Sequence, residues 1–288
     1  MKAMVLAAGL GTRLLPYSAQ RPKPLFPVLN IPLLHRMVTD LQAAGFSEVA
    51  VNCHHLAEQI KTAMADRAGV TLFAEEEVLG TGGGLRNARA WLGREPVLVV
   101  NGDIFHTLDY AALYEEHLQS GGPASLVLHD FPRFNKVSVD EHGAIIDFAP
   151  YPRAARLLAF TGIHIIEPQL LEIIPPASFY DIINCYRYWL RRGMQIRALV
   201  VQDHFWSDMG TPADYLALHG RLLTDPRFGA ASSFCLAPDL DLSGVELHDW
   251  AAVGPGARIG AGSCLTRVVV WPGARVAPAS RLQDTIIV

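Results

Sequence analysis

Along the first hundred residues, short apolar runs alternate with stretches of helical period. Ala3-Met4-Val5-Leu6-Ala7 is an unbroken apolar run closed by glycine, the pattern of a strand buried on both faces. Residues 49–53, 70–73 and 97–100 repeat it, and helical patterns over 56–67 and 82–92 separate them. A further helix is expected from Asn30-Ile31-Pro32. There Asn30 caps, Pro32 sits in the first turn, apolar residues recur at Leu33, Leu34, Met37, Val38 and Leu41, and Gly45 is the stop. This rhythm predicts a parallel sheet with helices on both faces, in which ligands gather at the carboxyl ends of the strands. Beyond residue 120 the pattern becomes 126–128, then 137–148 with a turn at Glu141-His142-Gly143, then 160–166, which predicts antiparallel or mixed sheet. Helices are expected near 178–192 and 212–223, the second opened by Thr211-Pro212.

The end of the chain has another period. Aliphatic residues fall every six positions at Leu247, Val253, Ile259 and Leu265 and, after one five-residue step, at Val270, Val276, Leu282 and Val288. Small residues often stand two before them: Ala251, Ala257, Ser263, Ala274 and Ser280. A hexapeptide rhythm of this kind predicts a parallel β-helix of about two coils, with inward aliphatic side chains and small residues at the corners. The boundary falls near 225–240, where Thr224-Asp225-Pro226 ends a helix and Ala237-Pro238-Asp239 reads as linker. The two expected domains are 1–228 and 229–288.

Composition narrows the classes. The 288 residues are 50% hydrophobic and 18% charged, with 24 Gly and 19 Pro, as in a compact globular chain. A balance of 24 basic against 28 acidic residues gives −4, which leaves no global footprint for nucleic acid or anionic lipid. Any polyanionic ligand needs a local site. Cys53, Cys185, Cys235 and Cys264 form no CxxC pair and are too sparse for a disulfide scaffold, so a reducing, cytoplasmic setting is expected. No run approaches the ~18 residues of a membrane span. Lys2 and the apolar residues up to Leu10 imitate a short signal peptide, but Gly9, Gly11, Thr12 and Arg13 continue into a more specific pattern.

That pattern is Leu6-Ala7-Ala8-Gly9-Leu10-Gly11-Thr12-Arg13, a loop whose backbone N–H groups can approach phosphates after a buried strand. It matches neither GxxxxGK[ST] nor GxGxxG. The continuation Arg21-Pro22-Lys23-Pro24-Leu25-Phe26-Pro27 fixes a lysine ten residues after Arg13 in a proline-stiffened segment. The run LAAGLGTRLLPYSAQRPKPLFPV is followed in order by GTGGGL at 80–85, NGD at 101–103, FTGIHI at 160–165 and WSDMGTP at 206–212. Together these blocks, over about residues 1–222, resemble the sugar-1-phosphate nucleotidyltransferases. The core is similar to N-acetylmuramate-1-phosphate uridylyltransferases, and the tail, with VVVWPGARV at 268–276, to the β-helix of mannose-1-phosphate guanylyltransferases.

The resemblance implies an α/β fold: a Rossmann-like, mixed but mainly parallel sheet flanked by helices, of nucleotidyltransferase type A, followed by a short left-handed parallel β-helix. It implies a Mg²⁺-dependent transfer from a nucleoside triphosphate, GTP or UTP, to a sugar 1-phosphate, giving an NDP-sugar and pyrophosphate. Asp103 and Asp208 are the expected metal ligands and, with Arg13 and Lys23, the catalytic set. Taken alone, the two aspartates read equally well as turn or capping residues, and Arg13 and Lys23 as surface charges. Leu6, Ala7, Ala8, Gly9, Gly11, Thr12 and Arg13 would cradle the triphosphate; Glu77, Gly80, Thr81 and Gly82 match a base-recognition turn. A carboxylate at Glu77 accepts from guanine or from uracil, so it leaves the base open, and Glu75-Glu76-Glu77 reads also as a solvated acidic run.

On the sugar side Asn135, Thr161 and Gly162 are the candidates. A Glu-Lys-Pro triad common in the family is replaced by Phe148-Ala149-Pro150, with Arg153 or Arg156 as the substitute charge. His54-His55 point to opposite faces of an extended segment and do not read as metal ligands. Phe179, Tyr180, Tyr186, Tyr188 and Trp189 read as core rather than as a stacking patch. A catalytically weak regulatory subunit that binds nucleotide sugar is the rival reading, and acyl transfer by the β-helix is another. A homo-oligomer, specifically a dimer, is expected because an open β-helix leaves an edge to cover.

Overall fold

The computed structural model describes residues 1–229 and 232–288; Ala230 and Ala231, inside the expected boundary region, lie outside the described residues. By internal contacts the chain forms two compact units, Met1–Leu10 with Met37–Trp206, and Gly11–Arg36 with Ser207–Val288. Among the described residues no helix is long and apolar enough to cross a membrane.

The first unit is built on a nine-stranded mixed sheet. Its central part is parallel: Lys2–Leu6 lies between Glu48–Cys53 and Val97–Asn101, and Val70–Ala74 adds outside Glu48–Cys53. Val97, Leu98, Val99 and Val100 are all fully buried, which is why these strands read as continuous apolar runs rather than alternating ones. The long strand Arg156–Ile166 runs antiparallel to Val97–Asn101, with Ala124–His129 and Val137–Val139 antiparallel to it in turn. Arg197–Val200 then adds parallel to Ala124–His129. The expected hairpin forms between Val137–Val139 and Ile145–Asp147, and Asp140 holds its turn by accepting from the N–H groups of His142 and Ala144. The helix Ile182–Leu190 is shorter than the 178–192 expected, because Asp181 caps it by accepting from Ile183 N–H.

One helix start differs from its expectation. The helix is Leu33–Ala43 and Asn30 does not cap it: Asn30 sits at φ +66°, and Ile31–Pro32 instead pairs with Pro27–Val28 as a short antiparallel ribbon. The Asn30 amide donates to the Val253 carbonyl at 2.9 Å, a contact that sequence spacing could not show.

In the second unit the helix Pro212–Thr224 begins as expected, with the Thr211 hydroxyl accepting from Asp214 N–H. The C-terminal strands Phe234–Leu236, Glu246–Val253, Cys264–Val270 and Arg281–Ile287 form a parallel sheet, and Arg258–Ile259 pairs in parallel with Arg275–Val276. Leu247, Leu265 and Leu282 stand side by side, as do Val253, Val270 and Ile287, and Ile259 faces Val276. The six-residue period is thus converted into rows of stacked aliphatic side chains. Asp249, Arg267 and Asp284 each adopt positive φ at successive levels, and the Arg267 guanidinium bridges both carboxylates at 2.5–2.7 Å.

Candidate active site

In the first unit, strand register gathers the expected loops. Leu6 lies level with Asn52 on one side and Asn101 on the other, so Ala7 and Asp103 leave the sheet at the same carboxyl edge, where Gly102 N–H donates to the Leu6 carbonyl at 2.8 Å. Ala7 and Ala8 are buried, whereas Gly9 is exposed and a Cβ there would meet nothing within 4 Å. Asp103 is half-buried, two residues past the end of its strand. Gly162, at φ +82°, packs against the Asn101 side chain at the same edge; a Cβ there would come within 2.8 Å of Asn101 Nδ2. Thr161 is fully buried and its hydroxyl donates to the Val127 carbonyl, so that side chain serves the sheet. Asn135 is likewise engaged, accepting from Phe131 N–H and donating to Asp130. Arg153 and Arg156 are both exposed.

The turn expected to recognise the base is organised by two residues outside the expected set. Glu75 is buried, with one carboxylate oxygen accepting from Asn52 Nδ2 at 2.7 Å and the other from Leu79 N–H at 3.0 Å. Asn52 in turn accepts from Ala7 N–H at 2.7 Å, so one chain of hydrogen bonds runs from the glycine loop to the turn before Gly80. Gly84 passes so close that a Cβ would stand 2.6 Å from Asn52 Nδ2 and 2.9 Å from Glu75 Oε1. Glu77, by contrast, is exposed. The signal available was an Asn ending an apolar strand, VAVNC, but nothing in it named the partner.

Residues 79–83 are also clamped from the other side. Tyr180 N–H donates to the Leu79 carbonyl, the Tyr180 carbonyl accepts from Gly82 and Gly83, and Ile182 N–H donates to the Thr81 hydroxyl. Phe179 is 70% exposed with its ring edge against Gly80, unlike Tyr186, which is fully buried as expected for core. His54 Nδ1–H donates to the Glu75 carbonyl at 2.9 Å, which gives that ring a structural partner.

These two glutamates should separate by experiment. Glu75→Ala strands a buried donor, Asn52 Nδ2, and a half-buried one, Leu79 N–H, and is expected to cost about 1–3 kcal/mol for the buried donor, read as a lowered denaturation midpoint. Glu77→Ala, at an exposed position, is expected to leave that midpoint unchanged. Equal midpoints for the two variants would contradict the assignment.

In the second unit, residues 12–29 are folded onto the 212–224 helix. Phe26 packs its ring edge-on to Tyr215 and Trp271 at centroid distances of 5.6 and 4.7 Å, and the Tyr215 hydroxyl donates to the Pro27 carbonyl. This packing seats Lys23, itself 7% exposed, at 3.4 Å from Asp208 Oδ1. Gly210 completes the group: a Cβ there would stand 2.7 Å from Asp208 Oδ2 and 3.0 Å from Arg13 Nη1. Arg13, Lys23 and Asp208 therefore form one cluster around a glycine. Thr12 and Arg13 are exposed and open a 3₁₀ turn, and Gly11 before them takes φ +63°. Carboxylate oxygens are the hard donors that Mg²⁺ prefers, and the bare Gly210 leaves the room that the Asp208 carboxylate fills.

His219 holds the same segment from below. Leu29 N–H donates to its Nε2 and its Nδ1–H donates to the Tyr215 carbonyl, so both ring positions are used by the neutral form. Burial lowers its pKa to about 4, and burial also lowers His106 and His129 to about 4 and His164 to about 3. Unfolded, these rings take protons near 6.5; folded, they do not until well below that. The unfolded state therefore binds more protons in between, and stability falls as pH drops from 6.5 towards 4, by about 1.4 kcal/mol per pH unit for each fully buried ring. Thermal midpoints at pH 7 and pH 5 check this; equal midpoints would contradict it.

A model of the nucleotidyl transferase family matches residues 2–225. The chain belongs to that family. Among its curated relatives, N-acetylmuramate alpha-1-phosphate uridylyltransferase of Neisseria meningitidis serogroup B is 32% identical over 226 residues, covering 73% of this chain and 94% of the relative. Mannose-1-phosphate guanylyltransferase of Mycobacterium tuberculosis is 28% identical over 300 residues, covering 99% of this chain and 79% of the relative. The fold is shared with HddC from Yersinia pseudotuberculosis, solved in complex with GMP-PN, at 24% identity and a TM-score of 0.64 over 75% of this chain and 97% of that one. This nucleotidyl transferase is accordingly an enzyme of the nucleotidyl-transferring class.

Proposed function

We propose that this nucleotidyl transferase joins a nucleoside triphosphate, GTP or UTP, to a sugar 1-phosphate, giving an NDP-sugar and pyrophosphate with Mg²⁺ as cofactor. The observation that carries the reading is the cluster of Arg13, Lys23 and Asp208 around Gly210, two cations and a carboxylate suited to polyanionic substrates. The kinship with uridylyl- and guanylyltransferases of sugar 1-phosphates supports the same substrate class and leaves both bases open.

The sugar phosphate has a second pKa of about 6, so its oxygen is already dianionic at neutral pH and attacks the α-phosphorus without a general base. The new P–O bond forms as the bond from the α-phosphorus to the β-phosphate bridge breaks, and pyrophosphate carries the electron pair away. What the protein must supply is charge and position. Arg13 contacts the β- and γ-phosphates and the departing pyrophosphate, and Lys23 the α-phosphate and the incoming sugar phosphate. Asp103 and Asp208 would hold Mg²⁺, and the ion would supply charge neutralisation to the phosphate oxygens.

The amides of the Leu6–Thr12 loop complete the phosphate cradle, Glu77 with the Gly80–Gly82 turn receives the base, and of the three sugar-side candidates Gly162, at the strand edge beside Asn101, shapes the sugar side. The strands from Phe234 onward form a short left-handed β-helix that follows a catalytic domain of 1–228 in the sequence, a reading supported by the stacked aliphatic rows. Its open end is covered by a second copy in a dimer. The test is pyrophosphate release from GTP, UTP, dTTP, ATP and CTP against mannose, glucose, N-acetylglucosamine, N-acetylmuramate and heptose 1-phosphates. One pair well above the rest fixes base and sugar together; silence from every pair would overturn the reading.

A further inference from the structure

Outside the catalytic cluster, the parallel strands bring together three side chains that the proposed reaction does not use. Glu246 and His248 are two apart on one strand and so point to the same face, and Cys264 lies level with Glu246 on the neighbouring strand. Leu247, between Glu246 and His248, and Leu265, next to Cys264, turn inward, so this trio stands on the outer face. Their carboxylate, imidazole and thiol ligand atoms all lie within 4.8 Å of one another, the one such group of three among the described residues. His248 and Glu246 already approach to 3.5 Å, and the Cys264 thiol is only half-buried.

We infer that Glu246, His248 and Cys264 form a zinc-binding site clasping two successive levels of the C-terminal strands. The donor set is one thiolate sulfur, one imidazole nitrogen and one carboxylate oxygen, which suits Zn²⁺ and excludes Mg²⁺. Zinc bonds of about 2.0 Å to nitrogen and oxygen and 2.3 Å to sulfur place ligand atoms about 3.3–3.6 Å apart in a tetrahedron, a short closure for exposed side chains already this near. Three protein ligands leave the fourth position to water. The site is separate in chemistry from the proposed catalytic carboxylates.

The experiment uses the full chain, reduced and metal-free, titrated with Co²⁺ in excess Mg²⁺ so that hard-oxygen sites are filled. One equivalent of Co²⁺ is expected to raise a thiolate-to-cobalt charge-transfer band with the visible bands of a four-coordinate ion, and Zn²⁺ should bleach both. Cys264→Ser should abolish the charge-transfer band with circular dichroism unchanged. His248→Gln and Glu246→Gln should each weaken the titration at least about tenfold. Zn²⁺ should also raise the thermal midpoint of the wild-type chain and not that of Cys264→Ser. No charge-transfer band, or the same band in Cys264→Ser, would overturn the proposal.

Discussion

Lys23→Ala and Asp103→Asn are each expected to lower turnover at least ~100-fold, comparable with the loss of one preorganised charge-stabilising group. The two should fail differently. Lys23 is nearly buried against Asp208, and its ammonium is the cation that the proposal places at the α-phosphate. Its loss should lower kcat without raising the Mg²⁺ concentration needed for half-maximal rate, because it takes a cation away from Asp208. Asp103→Asn keeps the size of the side chain and removes its charge, so it should raise that Mg²⁺ requirement as well as lowering kcat. Initial rates over a Mg²⁺ series separate the two. Wild-type rates in both variants would remove these residues from the catalytic set.

Gly210→Ala is expected to reduce turnover by one to two orders of magnitude, at least ~10-fold, with little change in stability. The backbone at Gly210 carries no positive φ, so alanine can adopt it, and the conflict falls on the tips of two side chains, Asp208 Oδ2 at 2.7 Å and Arg13 Nη1 at 3.0 Å. Those tips can swing aside at small energetic cost. The fold should therefore survive while the carboxylate and the guanidinium leave their positions, and a catalytic site tolerates such a displacement poorly. Measuring kcat beside the thermal midpoint tests this directly: an unchanged kcat would mean that the arrangement around Gly210 does not matter to the reaction.

Much of this was legible in the chain because the signals were local. A strand buried on both faces has no alternation to disguise it, so 97–100 and 49–53 could be read from composition alone. The six-residue period of the tail emerged as stacked rows because each row repeats the same short chemistry. What stayed hidden depended on partners distant in sequence. Asn30 fits the pattern of a helix cap, yet its amide is claimed by Val253, more than two hundred residues away. Glu75 looked like one of three solvated carboxylates until the parallel register set Asn52 beside it, and Thr161 looked available for a sugar while its hydroxyl serves Val127. Gly210 carried no signal beyond its place in WSDMGTP, since its importance lies in the atom it lacks.

The most direct test of the central claim follows the phosphorus. With the best nucleotide and sugar 1-phosphate pair, the triphosphate is supplied labelled either at the α- or at the γ-phosphate. Nucleotidyl transfer predicts that the α label appears in the NDP-sugar and the γ label in pyrophosphate, in equal amounts. Release of the γ label as inorganic phosphate, with the α label left in a nucleoside diphosphate free of sugar, would contradict the account.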